Sequence, residues 1–156
     1  MPEQKLETEL LTRRILHQLD WLQQQESPIY RVLPVQYLSC NAQEQWVEFE
    51  YLSSPSGQNP HGFLHGGVTA WLLDTTNAIV CRCFSGLSAA PSLDLHINYL
   101  KGIPMNRKLF LHIEVKRLGT HVVNLYDEIR DSQKGTLYVT STANSYLPPN
   151  TPPLAE

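Results

Sequence analysis

The sequence predicts an α+β domain in which an antiparallel sheet is wrapped around one long central helix. Two observations carry this reading: a helix from about Gly66 to Phe84 with apolar residues on nearly every side, and strict apolar–polar alternation in the segments that follow it. Half-polar strands joined by short connections make an antiparallel sheet with one wetted face, and the central helix is the cover available for the other. A chain of 156 residues supports a single globular unit with its own core. That unit is expected over residues 29–147, after an amphipathic helix within 1–28 and before a disordered Pro-rich tail at 148–156.

Each element has its own signal. Leu6, Leu10, Leu11, Ile15, Leu19 and Leu22 recur at helical spacing with charges between them, and Ser27-Pro28 ends that helix. Aromatic and β-branched residues predict strands at Ile29 to Leu38 and Trp46 to Leu52, joined at Asn41 to Gln45. The central helix follows, and its lack of a polar stripe predicts that it is enclosed, with a second subunit closing the side the sheet leaves open. Strands are then expected at Ser92 to Tyr99, Leu109 to Val115, Val122 to Arg130 and Thr136 to Tyr146, with turns at Gly102 to Asn106, Leu118 to Thr120 and Asp131 to Gly135.

Charge and composition exclude several classes. A formal charge of −3 without a Lys/Arg cluster gives no basic face for nucleic acid. No apolar run reaches the roughly 18 residues of a spanning helix, and Glu3, Glu7 and Glu9 stand where a targeting signal would be free of acids. Cys40, Cys81 and Cys83 are an odd set without metal spacing, which suits a reducing compartment, so the expected location is cytoplasmic.

The chemistry concentrates in "NPHGFLHGGVTAWLLD", residues 59–74. Gly66-Gly67 opens the helix with its first N–H groups uncovered, at the positive end of the macrodipole, where an oxygen gaining negative charge would be stabilised. The plain alternative is that the two glycines let the helix pack closely. Asp74 interrupts an apolar helix; a buried carboxylate needs a partner such as Thr75 or Thr76, or a pocket to line. Eight residues from Gly66, it lies about 12 Å along the axis. If both serve one reaction, Asp74 must come from a neighbouring chain, which predicts a homodimer with sites at the interface.

The motif "NPHGFLHGG", the following Asp and "PSLDLHINYL" together resemble the hotdog-fold acyl-CoA thioesterases of the phenylacetic-acid-degradation type, to which the thioesterase-superfamily hydrolases of mammals belong. The resemblance extends over "VKRLGT" and the last strand and leaves the residues before about Ile29 uncovered. It implies that Asn59, His65 and the N–H of Gly66 hold and polarise a thioester carbonyl. It makes Asp74 of the opposite subunit the base that activates water, or a nucleophile, with Ser92 positioning the water. Substrate contacts fall on Gly67, Tyr99, Arg117 and Thr120; Thr120 stands where relatives often carry Lys or Arg, which weakens the phosphate site. No cofactor is implied beyond the coenzyme A of the substrate, and hotdog dimers often pair into homotetramers.

Plainer readings exist for several of these residues. Asn59-Pro60 commonly starts a turn, Tyr99 serves equally as a packing residue, and Lys116-Arg117 reads as a solvated turn. His61 and His65 have metal spacing only on a helix, which Pro60 and Gly62 preclude, so no metal site is expected. The same fold could serve as a non-catalytic sensor or carrier of acyl-CoA, but a pure binder has no need of Asp74 and Ser92.

Overall fold

The computed structural model describes residues 6–32 and 35–155. Residues 1–5, 33, 34 and 156 fall outside the description, and with them Glu3, part of the strand expected at Ile29 to Leu38 and the last residue of the tail. Helix α1 (Thr8–Gln23) and a short α2 (Pro28–Val32) precede β1 (Val35–Asn41) and β2 (Trp46–Leu52). The long α3 (Gly66–Ser85) is followed by β3 (Ser92–Tyr99), β4 (Lys108–Leu118), β5 (Val122–Arg130) and β6 (Leu137–Tyr146). The six strands form one sheet in the order β1-β2-β4-β5-β6-β3, antiparallel throughout.

Alternation decides which face is inside. Val47, Phe49 and Tyr51 of β2, Leu109, Leu111, Ile113 and Val115 of β4, and Val123, Leu125 and Ile129 of β5 are buried on the face that packs against α3. α3 supplies Leu72, Leu73, Ile79, Val80 and Phe84 to the same core. Each such side chain contributes about 1.5–3 kcal/mol of apolar burial, so this face dominates the stability of the domain. Gly86, at φ 69°, ends α3 in the left-handed conformation that glycine adopts without a Cβ penalty, and its N–H closes on Arg82 O at 2.8 Å.

The amphipathic stripe of α1 has its partner within the chain. Leu11, Ile15 and Leu22 are buried against α3 and β1, Arg14 donates to Cys83 O at 3.0 Å, and the Arg82 guanidinium lies 5.4 Å from the centre of the Trp21 ring.

Three expectations are corrected. Pro28 begins a short helix instead of a strand, because proline fits the first helical position, where no N–H is required. The tail is placed on the body: Leu154 is buried, its N–H donates to Gly86 O at 2.7 Å, and Ser88 N–H donates to Pro152 O at 2.9 Å. Asp74, expected among buried residues, is exposed in the single chain beside Ser92 of β3.

β3 is the last strand of the sheet, so one row of its backbone groups has no neighbouring strand among the described residues. Leu95, Ile97 and Tyr99 keep the predicted alternation, but the register shifts between Ser92 and Asp94, which interrupts it at Leu93; Leu93 is 58% exposed and Tyr99 56% exposed.

Candidate active site

The loop before α3 is folded by its own polar groups. Asn59 Oδ1 accepts from the N–H of His61 at 2.9 Å and of Phe63 at 3.1 Å, an Asx-type turn that closes "NPHGF". Leu64 N–H then donates to Ile103 O at 2.8 Å, and His65 N–H to Gly57 O at 2.8 Å, which seats the loop beside the Gly102–Pro104 segment. Asn59 thus serves the turn through its oxygen, and its Nδ2 has no partner among the described residues.

At the helix mouth, one peptide is held at both ends. His65 is the N-cap, and its Nδ1 accepts from Gly67 N–H at 2.9 Å, which leaves Nε2 to carry the ring proton. Tyr99 Oη donates to Gly66 O at 2.8 Å, and its ring lies 3.3 Å from where a Cβ on Gly66 would stand. The Gly66–Gly67 peptide is therefore clamped between β3 and the cap. Of the two N–H groups expected to be uncovered, Gly67's is occupied and Gly66's has no partner among the described residues.

This free N–H opens onto a cleft of about 490 Å³ lined by Asn59, His61, Phe63, Tyr99, Lys101 and Ile103, among others. Its walls are mainly apolar.

Asp74 has a different partner from those expected. Its Oδ1 accepts from Ser92 Oγ at 2.6 Å, at the opposite end of β3, while Thr76 turns inward to the carbonyls of Leu72 and Leu73. The carboxylate is exposed in the single chain. One chain thus holds two half-sites: Asp74 with Ser92 at the start of β3, and Gly66 with Tyr99 at its end. Ser92 and Tyr99 lie about 23 Å apart along β3, seven residue steps, while Asp74 and Gly66 lie about 12 Å apart along α3.

Arg117 and Thr120 are exposed on the β4–β5 hairpin. The register Leu118↔Val123, Val123↔Ser145 and Ser145↔Ser92 puts that hairpin at the Asp74 end of the sheet, three strands from β3, and apart from the Gly66 mouth of the same chain. Among the described residues, no group of three or more His, Cys, Asp or Glu side chains is placed to hold a metal ion. No helix among them is long and apolar enough to cross a membrane.

One polar cluster escapes the sequence reading. Asp127 is fully buried on the core face of β5, where it accepts from Asn77 Nδ2 of α3 at 3.0 Å and from Ser141 Oγ of β6. Its signal was a charge at the inward parity of Val123, Leu125 and Ile129. Burial pushes its carboxyl up to about 6, against the pull of the Ser141 and Asn77 hydrogen bonds and of His112.

The sign of the linkage follows. Below pH about 4 Asp127 is protonated whether folded or not; between about 4 and 6 the native state keeps a proton that the unfolded chain has lost, so stability falls as pH rises. The gap between about 6 and the ordinary value near 3.9 is worth about 3 kcal/mol, and that loss is complete above pH about 7. Asp127→Asn keeps an oxygen for both donors and removes the charge. It is expected to raise the urea midpoint at pH 8 and to leave it nearly unchanged at pH 4; an equal midpoint at pH 8 would contradict the assignment.

Comparison with known proteins bears on the whole arrangement. The sequence profile described as the thioesterase superfamily matches residues 61–138, from the loop before α3 into β6. No protein of curated function matches the chain significantly. Among solved structures, the PaaI protein of the phenylacetic acid degradation operon of E. coli is 19% identical, with a TM-score of 0.77 over 92% of this chain and 97% of that one. Zebrafish thioesterase superfamily member 2 is 21% identical, with a TM-score of 0.76 over 92% of this chain and 99% of the other. A hypothetical thioesterase from Streptococcus pneumoniae, solved with coenzyme A, is 22% identical, with a TM-score of 0.63 over 72% of this chain and 86% of that one. The fold is the hotdog fold expected from the sequence.

Proposed function

Because this chain belongs to the thioesterase superfamily, we propose that it hydrolyses acyl-CoA thioesters to a free acid and coenzyme A in a site shared by two copies. The observation that carries this reading is the placement of the two half-sites at opposite ends of one edge strand. If β3 of one copy pairs antiparallel with β3 of a second, residue 92 of each meets residue 99 of the other. Asp74 and Ser92 then stand beside the partner's Gly66. The exposed apolar side chains of β3 and its unpaired backbone row support such pairing.

In this site the thioester carbonyl accepts from Gly66 N–H, with the Nδ2 hydrogens of Asn59 and Nε2–H of His65 alongside. Asp74 removes a proton from water held by Ser92, and the water oxygen attacks the carbonyl carbon. The oxyanion collapses, the C–S bond breaks, and the thiolate of coenzyme A takes the proton from Asp74. The positive end of α3 and the free N–H stabilise the oxyanion more than the neutral carbonyl, which is the condition for lowering the barrier. The apolar cleft beyond Gly66 receives the acyl group, and Arg117, exposed on the hairpin at the Asp74 end of the sheet, is available to a phosphate of coenzyme A. The pneumococcal thioesterase solved with coenzyme A supports that substrate class.

A panel of aromatic, short, medium and long acyl-CoA esters with thiol release monitored tests the reading. Release from at least one class is expected. Binding of the same esters without release from any of them would instead mark a sensor or carrier. Within the same assay, Tyr99→Phe removes one end of the clamp on the Gly66–Gly67 peptide. A hydrogen bond of about 1 kcal/mol is lost, so kcat is expected to fall by up to about fivefold and the thermal midpoint by a few degrees.

A further inference from the structure

The buried pair of Asn77 and Asp127 lies one helical turn from Asp74. Asp74 faces the edge strand and Asn77 the middle of the sheet, so α3 is tied by polar contacts at two points of its circumference. Arg14 and Tyr99 also reach α3, but through backbone carbonyls near its two ends, Cys83 O and Gly66 O; between these ends the packing of α3 on the sheet is mainly apolar, and dispersion has little direction. A hydrogen bond has direction. With side-chain tips about 5–6 Å from the axis, a rotation of about 20° carries a carboxylate oxygen about 2 Å. Misplacement by about 1 Å can cost about 10²-fold in rate.

A polar group in this position has no other evident return. Asp127 is fully buried and Asn77 is 1% exposed, while Asn77 Oδ1 and Asp127 Oδ1 have no partner among the described residues. Replacing such a pair by apolar side chains of similar size is commonly neutral or stabilising. The groups facing Asp127 are Asn77 and Cys81 from α3, Ser141 from β6 and, across the sheet, His112 from β4. None of them is a catalytic group in the hydrolytic site.

We propose that Asp127 and Asn77 are positioning residues, which fix the rotation of α3 and so hold Asp74 on Ser92 in the geometry that hydrolysis requires. The inference rests on the hydrolytic reading, and its test separates the two. The double variant Asn77→Leu/Asp127→Val removes the tie and fills its space. It is expected to melt at or above wild type, to lose at least about tenfold in kcat and to keep KM within about threefold. Asp127→Asn, which preserves the acceptor for Asn77, is expected to retain kcat. Wild-type kcat in the double variant would overturn the proposal, since a network that serves only stability would leave a well-folded replacement fully active.

A crystal structure of the double variant gives an outcome independent of turnover. The distance from Ser92 Oγ to Asp74 Oδ1 is expected to lengthen from 2.6 Å to beyond about 3.5 Å, the limit of a hydrogen bond. Retention of the short contact overturns the positioning role, whereas absence of thiol release by the wild type sinks the hydrolytic reading alone. Should the double variant fail to fold, the reversed pair Asn77→Asp/Asp127→Asn restores the tie with the acid on the helix. Wild-type kcat within about threefold is expected there, and a tenfold loss overturns the claim.

Discussion

Exchanging Asp74 for Asn is expected to lower kcat for thioester hydrolysis at least about a hundredfold without disturbing the fold. A general base contributes about 10²–10⁴ to rate, and an amide of the same shape cannot accept the proton of water. The fold is spared for a reason visible in the structure. Asp74 is exposed in the single chain, and its one side-chain partner is the donor Ser92 Oγ, which an Asn oxygen can accept as well. Thiol release gives kcat, and circular dichroism gives the thermal midpoint. Equal turnover by the two proteins would remove Asp74 from the chemistry. A large loss of turnover accompanied by a collapsed midpoint would assign the residue a structural role.

How much of this was legible beforehand differs by element, for physical reasons. β2, β3 and β5 have the bounds the alternation predicts; in β2 and β5 the period of two follows from one buried sheet face, whereas β3 has no buried residue in the single chain. The segment after Ser27 misled because Ile29 and Tyr30 carry strand propensity, whereas Pro28 at a helix start outweighs it over a single turn. The burial of Asp74 was misjudged for a different reason: apolar residues on all sides of a helix do not say which neighbour covers each of them. On the side of α3 next to β3 that neighbour is absent from the single chain. Sequence alone also could not tell that His65 would take the N–H of Gly67, since capping depends on a side-chain rotamer, and this withdraws one of the first N–H groups expected to be uncovered. Asp127 was legible in principle, as a carboxylate at an inward position of β5.

The sharpest test of the shared site uses Gly66→Pro. Gly66 is the first residue of α3, where proline is well tolerated, and His65 at φ −62° and ψ 134° already has the extended conformation that a residue before proline requires. The substitution therefore deletes the free N–H and leaves the helix; the added Cβ meets the Tyr99 ring at 3.3 Å, which obliges that side chain to give by a few tenths of an ångström. Loss of one oxyanion donor is expected to cost about 10²–10³ in kcat. Gly66→Pro and Asp74→Asn are then two nearly inactive proteins with different defects. When they are mixed, dissociated and reassociated in equal amounts, half of the dimers are expected to be mixed. Each mixed dimer has one site that combines the intact Gly66 of one chain with the intact Asp74 of the other, so activity is expected to return to about a quarter of wild type. A site built within a single chain predicts no recovery, because every chain in the mixture carries a defect. Mixed dimers demonstrated by mass spectrometry, with turnover still at the level of the separate variants, would refute the shared geometry.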